Sequence, residues 1–183
     1  MKIYVVRHGE TDWNAEGRIQ GKTDVELNKN GIGQAEKLKE IIKDYDIDLI
    51  ISSTMKRARK TAEIINETLK CDIIYDASLV ERGYGIFEGK IREEITDEVL
   101  NSHALYNYNV NKNYGEVETI HDLCSRVWKL LDKIKKDYKD KNILLVTHGG
   151  TIQIINAYFV GINKDGVIRD LRINNCEVRM YEI

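Results

Sequence analysis

The chain has 183 residues, 28 of them basic and 30 acidic, for a formal net charge of −2, with 42% hydrophobic and 32% charged residues. That balance fits one globular domain, residues 1–183, with a sizeable core, and no arm or tail carries the one-sided charge that nucleic acid or an anionic membrane would require of a partner. Cys71, Cys124 and Cys176 are odd in number and widely spaced without a CxxC, and the opening MKIYVVRHGE turns polar too soon for a signal peptide, so the expected setting is the cytoplasm, with the thiols reduced and no zinc site.

The chain contains no proline, so Gly, Asn and Asp must mark the element boundaries. Lys2–Val6 reads as a buried strand that ends at Arg7-His8-Gly9. Asn28 is a cap for a helix over roughly 29–45, with Ile32, Ala35, Leu38 and Ile42 along one stripe. Leu49–Ile51 is a second strand, Ser52 and Ser53 are cap candidates, and the helix after them carries Met55, Ala58, Ala62 and Ile65. Asp72–Tyr75 is a third strand. Residues 76–118 are less regular: Gly83, Gly85 and Gly89 suggest a loop, Ile91–Leu100 a short helix, and Asn101–Tyr114 an irregular surface excursion. Thr119-Ile120-His121-Asp122 resembles a capping box with Asp in place of Glu, opening a helix with Ile120, Leu123, Val127, Leu130 and Ile134 at helical spacing. The basic stretch Lys133–Lys141 includes Asp137 and Asp140 and reads as a solvated helix end and loop. Ile143–Val146 is a fourth strand ending at Thr147-His148-Gly149-Gly150, a helix follows over Thr151–Val160, and Val167–Ile173 with Glu177–Ile183 suggests a hairpin turned by Asn174-Asn175.

Alternating strands and helices imply an α/β fold, a three-layer α/β/α sandwich whose central sheet is mostly parallel with an antiparallel C-terminal edge strand. Ligands of such sheets bind beyond the carboxyl ends of the strands. That rule selects Arg7-His8-Gly9, Ser52-Ser53 with the helix after them, and His148-Gly149-Gly150. Arginine offers a permanently charged fork of donors that fits phosphate oxygens, and a neutral imidazole is a nucleophile. Arg7, His8, Arg57 and His148 with nearby helix N-termini therefore make a candidate phosphoryl pocket. Glu81 is the candidate acid for the leaving group and base for water, a carboxyl that a neighbouring dianion would hold protonated. Each residue also has a plainer reading: His8 as a core histidine bonded to a carbonyl, Arg57 solvated among Lys56, Arg59 and Lys60, His148 as a strand cap. His103 and His121 lack ligand spacing, there is no HExxH, and neither GxxxxGK[ST], GxGxxG nor GxSxG occurs.

Read as strings, these segments resemble the histidine phosphatase superfamily, the phosphoglycerate mutase-like proteins. The resemblance runs through Arg7-His8-Gly9-Glu10-Thr11-Asp12-Trp13-Asn14, Gly17-Arg18-Ile19-Gln20-Gly21, Asp24–Asn28, Ser52–Ala62, Glu81 with Gly85–Gly89, and Thr147–Gly150. It implies that His8 is the nucleophile, that Arg7, Arg57 and His148 bind the phosphoryl group, that Asn14 and Gln20 add hydrogen bonds, that Gly9 and Gly149 let backbone approach the pocket, and that Glu81 is the acid and base. It implies neither metal nor cofactor. The ring nitrogen of His8 that does not attack should donate to a backbone carbonyl. The sequence departs from the family at Val117-Glu118-Thr119, where many relatives have Gly-Glu-Ser, and at Gly83, where mutase-type members tend to have His.

The implied activity is hydrolysis of a small phosphorylated metabolite. Two alternatives stand beside it: a cofactor-dependent phosphoglycerate mutase, and an idle phosphate-binding module on the same fold. Among residues 90–118 only Lys90, Arg92 and Lys112 are basic, which is few for the carboxylate site of a mutase, and His8 and Glu81 argue against an idle module. Specificity is expected from residues 82–116, with Tyr84, Tyr106, Tyr108 and Tyr114 as candidate ring contacts. Neither the substrate nor the oligomeric state is written in a motif.

Overall fold

The computed structural model describes residues 1–95, 103–110, 114–168 and 173–183. Its centre is a five-stranded sheet of β1 (Lys2–Arg7), β2 (Leu49–Ser52), β3 (Asp72–Tyr75), β4 (Ile143–Thr147) and β5 (Val178–Glu182), in the order β3-β2-β4-β1-β5. β1 to β4 run parallel and β5 pairs antiparallel to β1. β1 and β4 are buried on both faces, and their side chains alternate between two cores. Ile3, Val5, Ile143 and Leu145 enter one, and Tyr4, Val6, Leu144 and Val146 the other.

Helices α2 (Lys29–Ile42) and α3 (Lys56–Leu69) cover the second of these faces, and α4 (Ile120–Asp137) and α5 (Gly149–Val160) the first. This is the expected three-layer α/β/α sandwich. The chain moves outward from β1 to β2 to β3 and then returns to place β4 between β2 and β1. Right-handed crossovers in opposite directions deliver helices to opposite faces. Asn28 caps α2 by accepting from the Gly31 N–H at 2.8 Å. The buried stripe is Gly31, Ala35, Leu38 and Ile42, whereas Ile32 is 40% exposed. Thr119 caps α4 as expected, its Oγ1 accepting from the Asp122 N–H at 3.1 Å, but the return bond to Asp122 Oδ2 comes from the Thr119 hydroxyl and not from its backbone N–H as a capping box requires.

Four expectations are corrected. Ser52 and Ser53 do not cap α3: Ser52 ends β2, and the cap position is Met55. No hairpin partner for β5 is seen among the described residues, where β5 pairs with β1, while Val167 bridges to Asn107 with Tyr108 N–H donating to Gly166 O and Ile168 N–H to Tyr106 O; residues 169–172 lie outside the described residues. Of the helix expected over Ile91–Leu100, Arg92–Glu94 is one 3₁₀ turn and residues 96–100 lie outside the described residues. The excursion over Asn101–Tyr114 is not wholly on the surface: Leu105 is buried with Ile19, Tyr84, Phe87 and Val117 in a satellite core, which removes its apolar side chain from water. An unforeseen short helix, α1 (Asp12–Ala15), follows a capping box between Thr11 and Asn14.

Candidate phosphoryl-transfer site

The register of the two central strands assembles the site. Arg7 pairs with Thr147, so the next residue of each strand is a histidine, and His8 N–H donates to Thr147 O at 2.9 Å. The two imidazoles lie with ring centroids 5.1 Å apart. Both are buried at the carboxyl edge of the sheet, where a cavity of about 1130 Å³ opens. Arg7, His8, Asn14, Gln20, Arg57, Glu81 and Gly149 all line it.

His8 Nδ1 lies 2.7 Å from Gly9 O, which fixes the proton on Nδ1 and leaves Nε2 as the ring nitrogen with a lone pair for the cavity. Burial, then the charges of Arg57 and Arg7, hold the His8 pKa well below the ordinary histidine range, so the ring is neutral at pH 7. His148 stands behind it. Its Nδ1 accepts from Arg57 Nε at 3.2 Å, and its Nε2–H therefore donates to Ser53 Oγ at 2.8 Å. Burial and the charges of Arg57, His8 and Arg7 also push the His148 pKa far down. His148 is thus a neutral brace for Arg57, and it lies behind the residues that line the cavity.

Arg57 is fully buried at the start of α3. Nη1 donates to Thr23 O and Nη2 to Gly21 O, both at 2.9 Å. Three of its five N–H donors are so used, and one on each terminal nitrogen is left for an anion. Burial lowers its pKa to about 10, which leaves it charged at neutral pH. The loop that holds it is itself clamped by Glu88, whose carboxylate accepts from the Lys22 and Thr23 N–H groups, the Thr23 hydroxyl and the Tyr84 N–H. Arg7 donates from Nη1 to Ile173 O at 2.9 Å, and its Nε is buried with no partner among the described residues. A buried N–H of a charged group without an acceptor is costly, and an anion in the cavity supplies one.

Glu81 reaches the N-terminus of α5. Its carboxylate accepts from the N–H groups of Gly150 at 3.1 Å, Thr151 at 3.2 Å and Arg82 at 2.9 Å. Gly150 must be glycine for this, because a Cβ there would lie 2.6 Å from Glu81 Oε1. Asn14 Oδ1 accepts from the Thr11 backbone N–H at 3.2 Å, and Gln20 Oε1 accepts from the Thr11 hydroxyl at 3.0 Å, so each amide keeps its NH₂ for the cavity. Gly9 is placed differently. Its Cα packs on the first turn of α2, where a Cβ would lie 2.5 Å from Gly31 O, and its N–H donates to Thr61 Oγ1 rather than to the cavity. Of the four tyrosines, Tyr84 and Tyr106 line the cavity; Tyr108 stacks on His121 and Trp128, and Tyr114 packs on the satellite core. Of the three basic residues in 90–118, Arg92 lines the cavity, Lys90 lies over the Phe87 ring, and Lys112 is outside the described residues. Ser53, Thr61, Glu88 and Gly150 lie in segments the sequence singles out, but their roles are not readable there, and Arg126 is not singled out at all, because each acts on another residue's backbone or side chain across the fold.

The family model described as histidine phosphatase superfamily (branch 1) matches residues 3–183. The chain is 40% identical to "Uncharacterized phosphatase PhoE" of Bacillus subtilis over 153 residues, covering 84% of this chain and 74% of that one. It is 36% identical to "Probable phosphoglycerate mutase GpmB" of Escherichia coli O1:K1 over 179 residues, 97% of this chain and 83% of that one. A solved structure of a phosphoserine phosphatase from Entamoeba histolytica, in complex with 3-phosphoglyceric acid, superposes with a TM-score of 0.84 at 28% identity, covering 98% of this chain and 89% of that one. No helix among the described residues is long and apolar enough to cross a membrane.

Proposed function

The chain belongs to the histidine phosphatase superfamily, and from that premise we propose that it hydrolyses a small phosphate monoester through a phosphohistidine on His8. The observation that carries this reading is the His8 ring itself: neutral, its Nδ1–H tied to Gly9 O, its remaining nitrogen given to a cavity whose lining includes the Arg7 and Arg57 guanidinium groups. Nε2 attacks phosphorus in line with the ester oxygen, and the P–O bond breaks as the P–N bond forms. Arg7 Nε and the two spare Arg57 N–H groups hold the equatorial oxygens, with Asn14 and Gln20 adding neutral donors. Glu81 in its acid form gives its proton to the departing alkoxide. Its carboxylate then takes a proton from water, whose oxygen attacks phosphorus and releases orthophosphate and neutral His8.

The cage sets the two guanidinium charges of Arg7 and Arg57 against the single carboxyl of Glu81, so it favours an anion over a divalent cation, which supports chemistry without a metal. A cytoplasmic setting and a small phosphorylated metabolite as substrate remain part of the proposal. The GpmB-named relative favours a second reading as a phosphoglycerate mutase. Hydrolysis is preferred because, of the few basic residues in 90–118 that could serve a mutase's carboxylate site, Arg92 is the one among the described residues that lines the cavity.

The test is a metabolite phosphate panel assayed in EDTA, with acid-quenched protein examined for phosphohistidine. We expect orthophosphate release, a phosphoryl group on His8, and a fall of at least about 10⁴-fold in the His8→Ala variant. Activity lost to chelation, or retained in His8→Ala, would refute the mechanism. A rearranged phosphoglycerate formed only with a bisphosphoglycerate primer would select the mutase reading.

A further inference from the structure

The segment that carries Glu81 is held along its backbone. The carbonyls of Ser78, Leu79, Val80 and Glu81 each accept a hydrogen bond from a side chain: Arg126 Nη1 at 2.7 Å, Thr147 Oγ1 at 2.6 Å, Thr151 Oγ1 at 2.9 Å and Arg126 Nη2 at 3.2 Å. Thr147 and Thr151 belong to the cage elements β4 and α5, but Arg126 comes from α4 and stands behind the cavity wall. It is the residue that grips the segment at both ends.

Arg126 is in turn fixed by Glu118. Nε donates to Glu118 Oε1 at 2.7 Å and Nη2 to Oε2 at 3.1 Å, a bidentate pair with side chains 20% and 11% exposed. Glu118 Oε2 also accepts from Gly83 N–H at 3.0 Å, and the backbones of residues 83 and 118 pair through Glu118 N–H to Gly83 O at 2.9 Å. Burial alone would raise the Glu118 pKa, but Arg126 and the Gly83 N–H outweigh it and keep the carboxylate below its usual range. The pair therefore stays charged at neutral pH and brackets the acid-bearing segment on both sides, at residues 78 and 81 through Arg126 and at residue 83 through Glu118.

We infer that Arg126, held by Glu118, is a positioning residue for proton donation: it sets the height of residue 81 over the N-terminus of α5 and so aims the Glu81 carboxyl at the leaving oxygen. The inference rests on the assignment of Glu81 as the acid. Local sequence does not reveal it, because the Arg126 partners Glu118, Glu81 and Ser78 stand 8, 45 and 48 residues away. A misplacement of the order of 1 Å in a catalytic group costs about 10²-fold, and general-acid assistance is worth about 10²- to 10⁴-fold, so the effect is measurable.

The experiment compares two esters by kcat/KM, which reports steps up to departure of the alcohol. An alkyl phosphate needs its leaving oxygen protonated, and p-nitrophenyl phosphate does not. In Arg126→Gln we expect kcat/KM to fall about 30-fold for the alkyl ester and less than about threefold for the aryl ester. Glu118→Gln, a milder change that still offers hydrogen bonds, gives the same split at a smaller size and decides the matter should Arg126→Gln not fold. In a Glu81→Gln background, Arg126→Gln costs less than about twofold more, because its effect passes through a carboxyl already gone. Equal losses for the two esters, or full additivity with Glu81→Gln, would overturn the inference while leaving the Glu81 assignment standing. If Glu81→Gln itself shows no leaving-group split, the acid assignment is wrong and the inference falls with it.

Discussion

The inner and outer parts of the cavity are built on different principles. The inner cage hangs on the tips of β1 and β4 and the first turns of α3 and α5, and its polar atoms are assigned almost one by one. His8 is tied to Gly9, His148 to Ser53 and Arg57, Arg57 to two carbonyls, and Glu81 to three N–H groups. The outer wall comes from 3₁₀ turns and loop bridges, with Tyr84 and Tyr106, the Arg92–Tyr106 contact at 3.1 Å, and Val167 and Ile168. The lesson is that chemistry needs groups fixed before the substrate arrives, whereas selection among substrates can reside in loops that tolerate change.

The sharpest way to break that contrast is at Gly150. A Cβ at this position displaces only the flexible end of Glu81, so Gly150→Ala should lower kcat/KM for an alkyl phosphate by about 10- to 100-fold while the melting temperature barely moves. Gly33→Ala is the control, since a Cβ at Gly33 meets nothing within 4 Å and the change in mid-helix should stabilise by up to about 1 kcal/mol without loss of activity. Equal kinetic losses in the two variants would erase the distinction.

The cage also has a thermodynamic signature. Both imidazoles titrate well below 6.5 when folded and near that value when unfolded. Between the two values the unfolded chain binds more protons, so stability is full above about pH 6.5 and declines as the pH falls through that window, by at most about 1.4 kcal/mol per pH unit for each ring. Urea titrations at several pH values should show this slope, and His148→Asn should remove its share of it. An unchanged slope in that variant would mean the ring is not held neutral by the fold.

The outer wall should yield the smallest effect. Tyr106→Phe removes the hydroxyl that accepts from Arg92, a net loss of about 1 kcal/mol if the substrate uses it. KM should shift by about two- to fivefold, depending on the ester, with kcat held within about twofold. A large fall in kcat instead would place Tyr106 in the cage and blur the division.

Residues contiguous in the chain were legible without coordinates. The buried strand before Arg7-His8, the Asn28 and Thr119 caps, the alternation of strands and helices, and the strings around His8, Arg57, Glu81 and His148 are local patterns, and local physics writes them into the sequence. Tertiary structure alone decided that both ring nitrogens of His148 are engaged, because their partners, Ser53 and Arg57, lie 95 and 91 residues away. It also assigned Gly9 to helix packing rather than to the cavity, sent Val167 to Asn107, and closed Arg126 around the segment of Glu81. A hydrogen bond has no periodicity along the chain, so its partner becomes visible only when folding brings the two ends together.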